Sequence, residues 1–410
     1  MPPLIRPFTA LRPRPETAAD VAAPPYDVLS SDEARVRATG KPYSFLHISK
    51  AEIDLPPEVD HYAPEVYAKS AENLRRLIAE GILIRDDKPC YYAYRLIMGK
   101  HVQTGLIAAA SVAAYDANRI MKHEFTRPDK EDDRVRQIDA LNAQTGPVLL
   151  VHPDSDEVER LVAAATSGTP IADLTADDGI RHTLWRIDDP AAIAGISAGV
   201  ETMSALYIAD GHHRSAAASR VAAARRGKNQ PDSAEYFLAV MFPSHQMRIL
   251  DYNRVVRDLN GLSVEEFLSA VKERCTVVPS PTPVTPERTG TFGMYLKEHW
   301  YHLTIKPELV PANDPVRRLD VSVLSEQILD SILGIADLRR DTRIDFVGGI
   351  RGLPELERRV DSGEMAVAFA MHPTQLKELM SVADAGQIMP PKSTWFEPKL
   401  ADGLASLVLD

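Results

Sequence analysis

The chain has 410 residues, of which 44% are hydrophobic and 26% charged, and 47 basic against 58 acidic side chains give it a formal charge of −11. Such a chain lacks the basic field that general nucleic-acid binding or an anionic membrane surface requires, while one local basic pocket stays compatible with it. Its two cysteines, Cys90 and Cys275, have no metal-type spacing, and no apolar run reaches the ~18 residues of a membrane span, which excludes a disulfide framework, a zinc site and a transmembrane helix.

The N-terminus, MPPLIRPFTALRPRP, has Pro and Arg where a secretory leader needs an apolar segment, so a soluble cytoplasmic protein is expected. Residues 1–57 read as loop-rich, with a turn and a short capped helix in DVLSSDEARVRA. PEVYAKSAENLRRLIAEGIL reads as an amphipathic helix with Val66, Leu74, Leu77 and Ile78 on one face and Gly81 as its stop. PCYYAYRLI and VQTGLIAAASV form a hairpin across Met-Gly-Lys-His. A helix in EDDRVRQIDALNAQTG, a strand in PVLLVHP and a helix over 155–166 follow. Strands near 182–187 and 205–210, a helix from 212 and a strand in EYFLAVMF come next. The four prolines of VVPSPTPVTPERTG read as a linker, which places a main domain at 1–285 and a C-terminal α+β subdomain at 286–410. Beyond it, TFGMYL and YHLTI read as a hairpin, DVSVLSEQILDSIL as a helix and AVAFAMHP as a strand. Strands alternating with helices predict an α/β or α+β fold with a mixed sheet, extra helices and hairpins, and at least two subdomains.

The stretch ALYIADGHHRSAAASR, residues 205–220, carries the chemistry. Leu206 and Ile208 alternate as in a strand that ends at Asp210, Gly211 permits a tight turn, and a helical pattern begins at His212. His212, His213 and Arg214 then occupy the first turn, where N–H groups lack intrahelical partners and the dipole is positive. Cations are unfavourable there unless an anion is bound, so Gly211–Arg214 reads as a phosphate cradle, with Asp210 placed to hold Mg²⁺ or accept a proton. The competing reading is that Asp210 caps the helix and the histidines satisfy core hydrogen bonds.

RIMKHEFTRPDKEDDR, residues 119–134, is a charged loop running into a helix. His123 and Glu124 are candidate base or metal ligands, with Glu124 preferred because Phe125 would keep it partly dry. Arg127 and Arg134 are candidate phosphate contacts, against the reading of a solvated loop. In APPYDV, Tyr26 and Asp27 point at a substrate or cap a helix. IMPPKSTWFEPKL offers Lys392, Ser393 and Thr394 to a phosphate, or serves as a strap packing Trp395 and Phe396.

ADGHHRSAAA, together with APPYDV, KHEFTRPDKEDDR and MPPKSTWFEPKL, resembles domain of unknown function family 1015 over almost the whole chain. The DGHHR element also resembles the phosphate-binding box of the ParB/sulfiredoxin superfamily and its free-serine kinase branch. That resemblance implies a ParB/sulfiredoxin-like core. It implies a small-molecule kinase that uses ATP or ADP, most readily phosphorylating free L-serine, in which Asp210 with Glu124 would bind Mg²⁺ or take the acceptor hydroxyl proton. P-loop, protein-kinase and dinucleotide motifs are absent from the sequence. The alternatives are a ParB-like nucleotide switch and a non-catalytic interaction protein. Expected partners are a nucleotide and a small substrate, without nucleic acid or membrane, and a homodimer stays open.

Overall fold

The computed structural model describes residues 2–227 and 232–410, which divide into two compact units. The first joins Met1–Met247 to the C-terminal Pro398–Asp410, and the second is Arg248–Glu397. The fold is mixed α/β, as expected, but the division does not fall at 285/286. Pro279 lies inside a strand, Cys275–Ser280, at the edge of the second unit's sheet. An edge position tolerates a residue that has no N–H to donate. The prolines after it connect two strands of that one sheet.

The first unit is built on a nine-stranded sheet of β1 (Ile5–Arg6), β2 (Tyr91–Met98), β3 (His101–Ser111), β4 (Ile120–Met121), β5 (Val148–His152), β6 (Ala172–Thr175), β7 (Arg181–Ile187), β8 (Leu206–Asp210) and β9 (Tyr236–Pro243). The order is β4-β8-β5-β9-β3-β2-β7-β6, with β1 also on β3. β8 runs parallel to β4 and antiparallel to β5, while β5 and β9 are parallel, so the sheet is mixed. The hairpin read between β2 and β3 is present, with Tyr92 opposite Ile107 and Met98 opposite His101.

The helices that matter here are α1 (Pro64–Ala79), α2 (Pro128–Leu141), α3 (Asp156–Ala165), α4 (Pro190–Glu201) and α5 (His212–Arg225). Alternate strand residues share one sheet face. Leu106, Ala108, Leu150, Ile208, Phe237 and Ala239 form such a face, and Val158 and Val162 of α3, Ile196 and Val200 of α4, and Ala218 and Ala222 of α5 pack in the same core. In α1, Val66, Leu74 and Leu77 are buried, but Ile78 is 44% exposed, because its neighbour Leu77 already takes the centre of the stripe. Gly81, at φ +69°, ends α1: its N–H reaches the Ile78 carbonyl and the Ile82 N–H reaches that of Leu77. The C-terminal segment enters the first unit by strand pairing. Ser406–Val408 lies between Ala10–Pro13 and Ala143–Gln144, and Asp402 exchanges backbone hydrogen bonds with Ala23.

In the second unit, six strands are ordered Cys275–Ser280, His299–Ile305, Thr291–Leu296, Val367–Met371, Tyr252–Val256 and Ile344–Gly348. The predicted TFGMYL/YHLTI hairpin and AVAFAMHP strand are among them. DVSVLSEQILDSIL is helical from Asp320 to Leu324 and widens to a π-turn over Ser325–Asp330. Both cysteines are buried and unpaired. No helix among the described residues is long and apolar enough to cross a membrane.

Candidate functional site

The strand β8 breaks register with β5 between Ile208 and Asp210, a bulge that re-aims the last residue of the strand. Gly211 follows at φ +99°, and a Cβ built there would stand 3.0 Å from Arg214 Nε and 3.3 Å from Val148 Cα. The Arg214 and Ser215 N–H groups both donate to the Gly211 carbonyl, at 2.9 and 3.0 Å, and this starts α5. Only glycine meets both the dihedral and the space. Gly211→Ala is therefore expected to cost about 1–3 kcal/mol of stability and to displace the Arg214 guanidinium. Thermal denaturation reads this, and a variant melting at the wild-type temperature would show that the turn relaxes without cost.

The adjacent histidines do one job at two points. His212 Nε2 accepts the His123 N–H at 3.4 Å, and His213 Nε2 accepts the Arg127 N–H at 3.1 Å. A backbone amide can only donate, so the hydrogen-bond network assigns both ring protons to Nδ1. Successive helical residues diverge by about 100°, so the two rings reach separate points of the 123–127 loop and hold it at both ends of Glu124–Thr126. His212 Nδ1 then lies 3.5 Å from Glu124 Oε2.

Burial, with His123, His213, Arg214 and Lys122 adding to it, holds the His212 imidazole well below its ordinary value. Burial likewise lowers His213 and pushes His123 down to about 4. The imidazoles are neutral at pH 7, so the cation in the first turn of α5 is Arg214 and not the histidines. His123 is not placed for proton transfer either. Its ring is buried edge-on against His212, with centroids 4.5 Å apart, and both its nitrogens are closed off. Phe125 is 67% exposed and does not dry Glu124, whose side chain is itself 38% exposed.

The Arg214 side chain is 9% exposed. Its Nη1 donates to the Pro147 carbonyl, and its Nη2 lies 3.6 Å from both Asp27 Oδ2 and Asp210 Oδ2. Those two contacts are too long for hydrogen bonds, and Nε has no partner. Lys399 Nζ lies 3.9 Å from the same Asp210 oxygen. Burial alone would raise the Asp210 carboxyl, but Lys399, Arg214 and the Gly211 N–H overcome it and keep it below the ordinary carboxylate value. Arg134 stacks 3.9 Å over the Tyr26 ring and pairs with Asp133 at 2.7 Å, and burial pushes the Tyr26 phenol up to about 12. Arg214 also lines a cavity of about 30 Å³, together with Tyr26, Ser49, Arg134, Thr145 and Asp402 among others.

The family profile described as protein of unknown function (DUF1015) matches residues 5–322. The chain belongs to the DUF1015 family. No curated protein matches its sequence. Among solved structures, the DUF1015 chain is similar to a free serine kinase in complex with AMP, at 12% identity over 74% of this chain and 93% of that one, with a TM-score of 0.34. It is similar to SbnI with a C-terminal truncation from Staphylococcus aureus, at 12% identity over 72% and 85%, with a TM-score of 0.38. It is also similar to a conserved hypothetical protein from Pyrococcus furiosus, at 13% identity over 75% and 97%, with a TM-score of 0.33.

Of the residues singled out in the sequence, the DUF1015 chain gathers Tyr26, Asp27, Arg134 and Asp210–Arg214 around the turn, with Glu124 against its first histidine. Arg127 contributes its N–H only, since its guanidinium is exposed and paired with Asp129 at 2.8 Å. Lys392, Ser393 and Thr394 belong to the second unit. There the Ser393 hydroxyl donates to the Pro390 carbonyl at 2.7 Å, and the Lys392 carbonyl accepts from Arg254 at 3.0 Å. The lysine of that motif beside Asp210 is instead Lys399. Lys399, Asp402 and Ser49 were not legible as site residues, although Lys399 closes the same motif and Asp402 follows it by three positions. Among the described residues, Asp210 and Glu124 are not part of a three-ligand group. Among the described residues that description fits Asp154, Glu159 and His245, whose imidazole is taken up by the two carboxylates at 3.1 and 3.6 Å.

Proposed function

We propose that the protein transfers a nucleotide phosphate to a small hydroxylated molecule, with free L-serine the first acceptor to test. The observation that carries this reading is Arg214. It is a nearly buried guanidinium at the open end of α5, with one N–H unpartnered and its carboxylates beyond hydrogen-bonding distance. A phosphate there would meet that guanidinium, the first-turn N–H groups of His212 and His213, for which an α-helix supplies no intrahelical partner, and the helix dipole. Lys399 supplies a second cation beside Asp210. Phosphoryl transfer needs such positioning and charge neutralisation more than covalent chemistry.

Asp210, kept ionised by two cations, orients them and is a weak proton acceptor. Glu124 lies beside a neutral imidazole and is partly exposed, which suits it better to orient or deprotonate the acceptor hydroxyl. Asp210, whose Oδ2 is shared by Arg214 and Lys399, and Glu124 would supply the carboxylate oxygens for magnesium. When bound, the ion would neutralise developing phosphate charge. The test is product formation from a panel of hydroxylated metabolites led by L-serine, with ATP and with ADP in the presence of Mg²⁺, followed by phosphorus NMR. A phosphorylated acceptor is expected. Nucleotide binding without transfer to any acceptor would reduce the protein to a nucleotide switch.

A further inference from the structure

A second group of chemistry-bearing side chains stands at the far end of β5 from the α5 turn. Asp210 lies opposite Leu149 near the start of β5, whereas His152 is the last residue of that strand. At about 3.3 Å per residue the two points are roughly 10 Å apart along it. β5 and β9 are parallel neighbours, with His152 opposite Pro243, so the segments that follow them leave the sheet side by side. Asp154 lies in the first of these segments, His245 in the short turn Ser244–Gln246 after β9, and Glu159 in the first turn of α3.

Their ligand atoms, one from each residue, all lie within 4.8 Å of one another. His245 Nδ1 is 3.1 Å from Asp154 Oδ1, and its Nε2 is 3.6 Å from Glu159 Oε2. The ligands of a tetrahedral zinc ion, ~2.0–2.2 Å from the metal, stand roughly 3.3–3.6 Å from one another. The group is a little wider than that, and its two closest approaches already match. Both carboxylates are oriented from behind. Asp154 Oδ1 accepts the Ser244 hydroxyl at 2.8 Å and the His245 N–H at 3.2 Å, and Glu159 Oε1 accepts the Ser155 N–H at 3.2 Å. Such outer hydrogen bonds are what fix ligating carboxylates.

His152 is the independent observation. It is 3% exposed, and its Nδ1 donates to the Pro153 carbonyl at 2.7 Å. A carbonyl only accepts, so the hydrogen-bond network assigns the ring proton to Nδ1 and the lone pair to Nε2. Among the described residues no hydrogen bond engages that Nε2. The charged groups that act on the ring are Glu159, Asp154 and His245. A histidine with its Nδ1–H on a backbone carbonyl and its Nε2 open is in the state a metal ligand requires.

We propose that Asp154, Glu159 and His245 form a divalent-metal site, with His152 Nε2 as a fourth donor beside it, and that the ion it takes is of the zinc type. Imidazole nitrogen with two carboxylates suits zinc, whereas magnesium asks for an octahedron of oxygens. The His245, Asp154 and Glu159 side chains are 51, 48 and 24% exposed, which leaves the ion a path from solvent. An ion there would tie the ends of β5 and β9 to α3. It would touch no residue of the α5 turn, so this site stands apart from the phosphate reading. The competing reading of the same geometry is a plain ion pair, with His245 as an imidazolium between two carboxylates, and it predicts no metal affinity.

The test is calorimetric titration of Zn²⁺ into the full chain after dialysis against a chelator, with Mg²⁺ in excess throughout. One ion per chain is expected, and saturating Zn²⁺ should raise the melting temperature by a few degrees. His245→Ala and Glu159→Gln should each weaken binding at least about tenfold and remove the thermal shift. His152→Gln should weaken it about tenfold, and unchanged affinity in that variant removes His152 as a donor. His61→Ala takes away another exposed histidine beside a carboxylate, 3.7 Å from Glu52, and should leave binding unchanged. Absence of Zn²⁺ binding overturns the site and leaves the ion pair. So does binding that His245→Ala does not weaken, or that His61→Ala weakens as much. Displacement of Zn²⁺ by the Mg²⁺ excess overturns the choice of ion. His152 is buried, so should its variant not fold, the exposed His245→Ala and the Glu159→Gln variants decide. ADP affinity is expected to be unchanged in His245→Ala, so the metal site and the phosphate reading fail separately.

Discussion

Turnover of the Glu124→Gln variant is expected to fall by about 10²–10⁴, the usual worth of a positioned proton acceptor, while ADP affinity stays within about twofold of wild type. The substitution keeps size and removes charge. The split between the two readouts follows from the geometry. Glu124 stands on a loop fastened to α5 by two imidazole–amide hydrogen bonds, at His123 and at Arg127. The donor phosphates are assigned to the helix itself and to Arg214, which the substitution leaves in place. Because His212 takes its loop hydrogen bond at Nε2 and faces Glu124 through Nδ1, glutamine can still meet it, and the loop should stay docked. Steady-state kinetics on the best acceptor provide the check. Wild-type turnover would return Glu124 to the status of a solvated loop residue and move the acceptor-orienting role to Asp27.

Much of the frame around this site was legible from local pattern. The period-two alternation of Leu206 and Ile208 followed by the small-residue run of α5 marked the strand–turn–helix unit, and Gly211 marked its corner. The β2–β3 hairpin and α1 were equally local. What escaped was set by burial and by pairing between distant segments. DGHHR reads as three cations in a row, yet enclosure makes its imidazoles neutral and turns them into anchors for a loop. Lys399 and Asp402 reach the turn because Ser406–Val408 pairs with Ala10–Pro13, a contact with no periodic signature in either segment. Pro279 signalled a linker, but it occupies an edge strand, where a missing N–H breaks no ladder hydrogen bond.

Arg214→Ala is expected to weaken nucleotide binding by about 1.5–3 kcal/mol, or roughly tenfold to more than a hundredfold, the worth of a charge-assisted contact in a secluded site. The guanidinium is shared between Asp27 and Asp210, so its loss also leaves two carboxylates without their common cation and exposes the remaining site to repulsion from an incoming phosphate. Arg214→Lys should recover only part of the affinity, since an ammonium keeps the charge but not the Nε donor or the planar fork. His213→Ala, which removes a neutral anchor, should have the smaller effect. The most direct measurement is the calorimetric dissociation constant of ADP for the wild-type chain and for folded Arg214→Ala, side by side at neutral pH. The phosphate assignment predicts measurable wild-type binding that the variant loses by at least about tenfold. Equal affinity in the two proteins would contradict it.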